Sequence, residues 1–233
     1  MEPGARFTRR NEHELYCAGH LMEAAVAYYR ATGKRKLLDA MCRYADYIDR
    51  RFRVERDTGF VTPGHEEIEL ALVRLSECTG EGRYLTLAKF FLDERGKRPE
   101  PLFTDGTENP LYHQSHRPVR EQTEAEGHAV RAVYLYCAMA DVAEKTGDAG
   151  LLAACRALFD DIVTKKMFVT GGIGSSSCGE AFPVAYDLPN LLAYTESCAA
   201  LGLALFAGRM QKTAPDSRYA DTVERVLYNG FLS

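Results

Sequence analysis

Residues 14–52, ELYCAGHLMEAAVAYYRATGKRKLLDAMCRYADYIDRRF, have the apolar spacing of two helices joined by a short turn. A first helix is predicted over residues 14–32, with an apolar stripe of Leu15, Ala18, Leu21 or Met22, Ala25 or Val26, and Tyr29. Gly33 is predicted to end this helix, because glycine readily adopts the left-handed conformation found at helix C-termini. A second helix is predicted over residues 35–52, buried through Leu37 or Leu38, Met41, Tyr44 or Ala45, and Ile48. The stretch therefore predicts a helical hairpin.

The same pattern recurs along the chain. Further helix pairs are predicted over residues 66–78 and 82–95, 124–145 and 149–165, and 191–212 and 217–229. Three turns share a Thr-Gly pair followed by apolar residues, in ATGKRKLL, CTGEGRYLTL and KTGDAGLL. Because the repeats are unevenly spaced, they do not indicate a tight solenoid. We expect an all-α fold in which about four helical hairpins stand side by side around an axis, as in an α/α barrel or toroid.

Composition is typical of a globular protein, with 46% hydrophobic and 27% charged residues among 233. The formal net charge of −4 predicts neither a nucleic-acid partner nor an anionic membrane partner. The sequence has no apolar run of about 18 residues, and its first 16 residues lack the apolar segment of a signal peptide. Seven irregularly spaced cysteines suggest reduced thiols, and we expect a reducing, cytoplasmic location.

A glycine-rich loop, TGGIGSSSCGE at residues 170–180, contains four glycines and three serines in eleven residues. This composition favours turns with positive φ, and Asn190 is a plausible N-cap for the helix that follows. Glu180 ends the loop, whereas Glu196 and Cys198 lie close to the helix start. Two carboxylates and a thiol here favour acid–base or metal chemistry. The alternative is solvated glutamates and a cysteine that packs as a small apolar residue.

The spacing of Glu196 and Cys198 sets a condition on any shared metal ion. Residues two apart on a regular helix face different directions. A common ion therefore requires irregular backbone at these residues, or a position in the first turn of the helix.

Polar residues also recur near the N-terminus of the first helix of each hairpin. They are His13 and Glu14; His65, Glu66, Glu67 and Glu69; Glu126 and His128; and Glu196 and Cys198. If the first helices form an inner ring, these residues gather at one end of it. The alternative is that acidic residues in a first turn complement the helix dipole, which accounts for the glutamates better than for the three histidines.

Five motifs resemble glycoside hydrolase family 127, the β-L-arabinofuranosidases, in their order and spacing. They are NEHELYCAGHLMEAAVAYY, GHEEIELALVRL, PVREQTEAEGHAVRAVYLY, TGGIGSSSCGEAFPVAYDLPN and AYTESCAA. The resemblance covers nearly the whole chain. It implies an (α/α)6 barrel followed by β-sandwich domains, and removal of non-reducing-end β-L-arabinofuranose with retention. It also implies a cysteine thiolate nucleophile held on zinc and a glutamate general acid/base.

The resemblance assigns roles to six residues of this chain. Glu180 matches the acid/base, and Glu196 and Cys198 match two zinc ligands. His13, His65 and His128 match histidines that line the sugar pocket. The scheme is chemically coherent, because zinc keeps a thiol ionised and sulfur can replace the carboxylate nucleophile of a retaining glycosidase.

The sequence also departs from the family pattern. The remaining two zinc ligands of the family are an adjacent Cys-Cys pair, one of them the nucleophile, and no cysteine follows Cys198 here. Ser197 stands where the family has threonine. Four hairpins are predicted instead of six, and no β-sandwich domain is expected within these 233 residues. We therefore expect residues 1–233 to form a single partial barrel domain, an incomplete fragment whose exposed flank allows self-association.

Three functions remain open from the sequence. The first is a glycosidase, or part of one, acting on an arabinofuranoside or a related glycoside. The second is a non-catalytic α-toroid remnant that binds a sugar or a partner chain. The third is a sugar epimerase of similar fold, against which the pairing of GEAF with YTESC argues, since an epimerase needs no zinc thiolate.

Overall fold

The computed structural model describes residues 5–102 and 109–232. This part of the chain contains no β-strand, only isolated bridges that join Ala181 to His128 and to Ser176. Its α-helices are α1 (Glu14–Thr32), α2 (Lys36–Asp49), α3 (Ile68–Thr79), α4 (Gly82–Glu94), α5 (Ala129–Thr146), α6 (Ala149–Asp161), α7 (Ser197–Thr213) and α8 (Ser217–Arg225). They form the four predicted hairpins. Across the described ranges, no helix has the length and apolar character needed to cross a membrane.

The shared Thr-Gly turns are helix stops, as predicted. Gly33, Gly80 and Gly147 each adopt positive φ and donate their N–H to the carbonyl four residues back. The threonine before each glycine donates its hydroxyl to the carbonyl four residues before it, at 2.7 to 2.8 Å. The three repeats therefore terminate α1, α3 and α5 by the same two sets of hydrogen bonds.

The second helix of three hairpins runs on into a wider, π-helical turn. These turns are Arg50–Glu55 after α2, Ile162–Lys166 after α6 and Val226–Phe231 after α8. They account for the length of the helices predicted over 35–52, 149–165 and 217–229.

The chain divides into two compact units, residues 1–109 and 110–233. In the first unit, α1 packs against α3, and α2 and α4 each pack against their hairpin partner. Gly19 permits the close approach of α1 to α3, because a Cβ there would lie 2.9 Å from the backbone of Ile68. The two first helices of this unit are therefore direct neighbours.

The second unit repeats this arrangement with α5 and α7. A Cβ on Gly202 would lie 2.3 Å from Val133, so a glycine again brings the helices together. Arg209 on α7 pairs with Asp141 on α5, and the pair Lys212–Glu144 has the same separation of 68 residues. A constant offset means that α5 and α7 run parallel, with their N-termini at the same end of the unit.

Two predicted helix starts are wrong. The helix predicted from residue 191 begins at Ser197, so Asn190 is an exposed turn residue and not its N-cap. The N–H groups of Tyr194 and Thr195 donate to the carbonyls of Ser175 and Gly174, which keeps these residues out of the helix. The helix predicted from residue 124 begins at Ala129 because tertiary hydrogen bonds hold the preceding residues.

At two positions of the predicted apolar stripes, the structure decides between two adjacent candidates. Of the alternatives at each position, Met22 and Leu38 are buried, whereas Leu21 and Leu37 are 48% and 37% exposed. The spacing predicted the face of each helix correctly but not which of two adjacent residues lies at its centre.

Candidate functional site

Each first helix begins beside the polar residues predicted to lie there. The N-caps of α1, α3, α5 and α7 are His13, Glu67, His128 and Glu196. Of these four, His128 alone uses its side chain to accept a hydrogen bond from its own helix. Within each unit, the predicted polar residues therefore lie at the starts of two neighbouring first helices.

In the first unit, His13 and His65 lie close together around Tyr16. The two imidazole centroids are 5.9 Å apart, and the Tyr16 ring centre is 4.5 Å from that of His65. Nδ1 of His65 lies 2.8 Å from the carbonyl oxygen of Glu66. A carbonyl only accepts, so Nδ1 carries the proton and Nε2 of the neutral ring is an acceptor. His65 can thus accept a hydrogen bond from a hydroxyl.

Two of the glutamates beside these histidines serve the fold. The guanidinium of Arg95 lies 2.7 Å from Glu66 and 3.3 Å from Glu69, and all three side chains are fully buried. Removing one member of such a buried group leaves an uncompensated charge. We assign Glu66 and Glu69 to anchoring the start of α3.

In the second unit, Glu180 lies between a tyrosine and a histidine. Its Oε1 accepts a hydrogen bond from the Tyr194 hydroxyl at 2.8 Å, and its Oε2 lies 2.8 Å from Nε2 of His128. Nδ1 of His128 accepts the backbone N–H of Arg131 at 3.3 Å. The imidazole proton therefore resides on Nε2, which donates to Glu180. The carboxylate is 40% exposed and so accessible to a ligand.

The glycine-rich loop holds this group in place through its backbone. Gly171, Gly174 and Gly179 have positive φ, as the composition predicted. Ser176 and Ala181 exchange two backbone hydrogen bonds, and the N–H of Phe182 donates to the carbonyl of Gly127. The Tyr194 segment is tied to the same loop at Ser175 and Gly174. Backbone hydrogen bonds alone therefore link the segments that carry His128, Glu180 and Tyr194, in addition to the bonds between their side chains.

Glu196 and Cys198 lie at the start of α7, the position that a shared ion would require. Glu196 is the extended N-cap of α7, and Cys198 lies in the first turn of that helix. Ligand atoms of Glu196, His128 and Glu180 also lie within 4.8 Å of one another. Among the described residues, a second such group consists of His20, Glu23 and Glu67.

The family model for the β-L-arabinofuranosidase GH127 catalytic domain matches residues 2–233. This chain belongs to glycoside hydrolase family 127. The non-reducing end β-L-arabinofuranosidase of Bifidobacterium longum subsp. longum is 41% identical over an alignment of 237 positions, which covers 96% of this chain and 36% of that protein.

Solved GH127 structures agree with the fold. The GH127 β-L-arabinofuranosidase Ara127N-Se from Geobacillus stearothermophilus T6 matches 98% of this chain and 38% of its own, at 49% identity and a TM-score of 0.92. Another GH127 β-arabinofuranosidase matches 94% of this chain and 33% of its own, at 48% identity and a TM-score of 0.86. The chain thus spans little more than a third of these relatives. The all-helical fold and these similarities confirm the predicted class, an incomplete α/α barrel.

Charge in the second unit of this GH127 chain is arranged around Glu180. The hydrogen bond from Tyr194 lowers the pKa of Glu180, and His128 and Arg131 lower it further. The same bond raises the pKa of Tyr194 to about 12. Burial, followed by the charge of Arg131, lowers the pKa of His128. At neutral pH, Glu180 is therefore ionised and His128 neutral.

The pKa values of the two predicted metal ligands, Glu196 and Cys198, are both raised. Burial and the nearby Glu180 raise the pKa of Glu196. Burial and the charge of Glu196 raise the pKa of Cys198, so the thiol is protonated at neutral pH. A bound cation would favour both ionised groups and reverse these directions.

The sequence reasoning missed Tyr16, Tyr194 and Arg131. Tyr194 lies inside the quoted AYTESC motif, two residues before Glu196, and Tyr16 lies one helical turn after His13. Both positions could have been found by asking which tyrosines adjoin the predicted ligands. That His13 and His65 share a pocket with His128 and Glu180 stays a prediction.

Proposed function

We propose that Glu180 is the proton-transfer residue of a β-L-arabinofuranosidase site in which His13, His65 and His128 bind the sugar. The observation that supports this most directly is the carboxylate of Glu180, which accepts hydrogen bonds from both Tyr194 and His128 while remaining accessible. The two relatives named β-L-arabinofuranosidase support the substrate class.

The hydrogen-bonding groups suit a sugar hydroxyl, which both donates and accepts. Nε2 of His65 is an acceptor and Nε2 of His128 is a donor. As it stands, the ionised Glu180 can act as a base that takes a proton from water. To act first as an acid it must be protonated, and a substrate that displaces Tyr194 or His128 would raise its pKa toward the ordinary value of a glutamate.

Glu196 and Cys198 fit part of a zinc site. Carboxylate oxygen and thiolate sulfur are zinc donors, and the two residues lie two positions apart at the start of α7. A tetrahedral site needs further donors, which the family resemblance assigns to a Cys-Cys pair that these 233 residues do not contain. When bound, zinc would lower the pKa of a coordinated thiol and keep it as thiolate.

Two further expectations belong to this proposal. Residues 1–233 would act as one partial catalytic domain, inactive by themselves because the Cys-Cys pair that would supply the nucleophile is not among them. Self-association would use apolar residues that the second unit exposes, such as Val184, Leu191 and Leu192, which are between 75% and 93% exposed.

The proposal is tested by release of a chromophore from a β-L-arabinofuranoside. The chain is assayed alone and with a downstream Cys-Cys segment, of the kind that the family resemblance implies, added in trans. We expect turnover only by the pair, and a loss of about 100-fold or more in Glu180→Gln. Glu121→Gln, which alters an exposed glutamate, is the control and should keep full activity.

Other outcomes favour the alternatives. An inactive pair that still binds arabinose would support a non-catalytic remnant, and interconversion of free sugars would reveal an epimerase. Zinc content is measured in parallel. Zinc that remains at wild-type level in Glu196→Gln and Cys198→Ser would remove these residues from the metal site, and Cys178→Ser is the matched control.

A further inference from the structure

Gln114 is a fully buried glutamine whose amide faces backbone carbonyls. Its Nε2 lies 2.8 Å from the carbonyl oxygen of Glu126 and 3.3 Å from those of His128 and Tyr112. Its Oε1 has no hydrogen-bond partner among the described residues. A flipped amide would place oxygen against oxygen, so the contribution of this side chain lies in its two N–H groups.

The carbonyls that Gln114 holds belong to the segment that carries His128. Gly127 passes Leu111 so closely that a Cβ would lie 1.9 Å from the Leu111 oxygen. The N–H of His128 donates to the carbonyl of Tyr112 at 3.1 Å. Gln114 bonds to the carbonyls on both sides of Gly127, and so fastens the backbone on which the His128 ring is mounted.

The other end of the segment is fixed by a buried ion pair. Asp161 accepts the N–H of Ala125 at 2.9 Å, and Lys166 donates to the Ala125 carbonyl at 2.7 Å. Asp161 and Lys166 are 3.1 Å apart and almost fully buried. This pair holds Ala125 at the beginning of the segment, whereas Gln114 holds residues 126 and 128, where the segment joins α5.

We propose that Gln114 is a positioning residue for the His128–Glu180 hydrogen bond. This inference rests on the proposed role of Glu180. His128 makes two directional bonds with one ring, to the Arg131 N–H and to the Glu180 carboxylate. Both can form only if the backbone at residue 128 stays in place, because the imidazole is rigid beyond its two side-chain torsions. Gln114 supplies that restraint at the carbonyls of residues 126 and 128, whereas Asp161 and Lys166 bond to Ala125.

Gln114→Leu tests the proposal, with Gln122→Leu as its matched control. Gln122 is also buried and also donates to carbonyls, but to those of Gln114 and Arg117 instead of residues 126 and 128. Gln114→Glu is the second variant, since an ionised carboxylate of nearly the same shape cannot donate to the same oxygens.

The readout is the NMR signal of the Nε2-bound proton of His128, assigned by its loss in His128→Gln and observed at a fixed pH of about 8, above the usual titration range of histidine. Wild type and Gln122→Leu should show a slowly exchanging proton. In Gln114→Leu and Gln114→Glu it should disappear, and the backbone N–H of His128 should exchange about tenfold faster, as expected for loss of roughly one hydrogen bond.

Each outcome decides the assignment. A His128 proton that persists in folded Gln114→Leu or Gln114→Glu overturns it. Unfolding of the Gln114 variants while Gln122→Leu stays folded would show a general structural role and overturn it equally. This readout needs no turnover, so it is independent of the glycosidase assay. An active Glu180→Gln in that assay would contradict the proposed function but not the role of Gln114. In that assay the reconstituted Gln114→Leu should lose about tenfold in kcat/KM, because His128 is proposed both to bind the sugar and to hold Glu180.

Discussion

Substituting Gly127 by alanine should strongly destabilise the protein. The residue has φ of 71°, and a Cβ would lie 1.9 Å from the carbonyl oxygen of Leu111 and 2.8 Å from Cα of Tyr112. These obstacles are backbone atoms, so no side chain can rotate away. Left-handed backbone costs a non-glycine residue about 1 kcal/mol. Moving residues 111–112 aside would break the His128–Tyr112 backbone bond and the bond of Gln114 to the Tyr112 carbonyl, together about 2 kcal/mol.

Gly147→Ala is a matched control for this substitution. Gly147 has φ of 70°, almost the same as Gly127, but a Cβ there would meet nothing within 4 Å. It should therefore lose only the backbone contribution, about 1 kcal/mol. The difference of about 2 kcal/mol isolates the contact between Gly127 and Leu111.

The assay is equilibrium unfolding in urea, with the free energy extrapolated to water for wild type and both variants. Gly127→Ala should be about 3 kcal/mol less stable than wild type, and Gly147→Ala about 1 kcal/mol. If the two variants differ by less than about 0.5 kcal/mol, the close passage of residue 127 does not exist and the account of how His128 is held fails with it.

Three further predictions concern the Tyr194 hydroxyl, the Asp161 carboxylate and the cysteine thiols. Tyr194→Phe should raise the pKa of Glu180 toward its ordinary value, seen in a carboxyl NMR titration, because it removes the hydrogen bond that lowers that pKa most. Asp161→Asn should lower the free energy of unfolding by about 3 kcal/mol, measured in urea, because it leaves the charge of Lys166 buried without its partner. Exposed thiols should react with Ellman's reagent in the folded protein and buried thiols only after unfolding. The exposed thiols are Cys17, Cys178 and Cys198, and the buried ones are Cys137 and Cys155.

The free energy of unfolding that Asp161→Asn loses should be largest near neutral pH and smaller in acid. Burial alone would raise the pKa of Asp161, but the Ala125 N–H and the two adjacent lysines lower it below its ordinary value. The stability that it contributes is therefore present above the pKa of the unfolded chain and is lost as the pH falls through the folded pKa. The difference in the free energy of unfolding between wild type and Asp161→Asn should become smaller in acid.

Controls keep these three predictions specific. Tyr186→Phe alters an exposed tyrosine of the same segment and should leave the pKa of Glu180 unchanged. Asp160→Asn removes a half-exposed ion pair with Arg218 and should lower stability by less than about 1 kcal/mol. Early labelling of Cys155, whose pKa burial raises, would contradict its position in the core.

The amino-acid sequence by itself determined which segments are helical and where the Thr-Gly pairs end them. The apolar period and the Thr-Gly stops are local signals, because a helix is built from hydrogen bonds between residues four apart. Thus α1 begins and ends where predicted, at Glu14 and Thr32. The motifs also indicated Glu180, Glu196, Cys198 and the three histidines, since their types and order persist in the chain whatever its conformation.

Only the tertiary structure decided where α5 and α7 begin and how the side chains of the site are oriented. Asp161 holds Ala125 from 36 residues away, and the glycine loop holds Tyr194, so local helix propensity is overridden at both starts. The bond from Tyr194 to Glu180, the proton position on His128 and the restraint by Gln114 each depend on backbone segments brought together by folding. A sequence pattern cannot contain them, because a hydrogen bond is decided within a few tenths of an ångström.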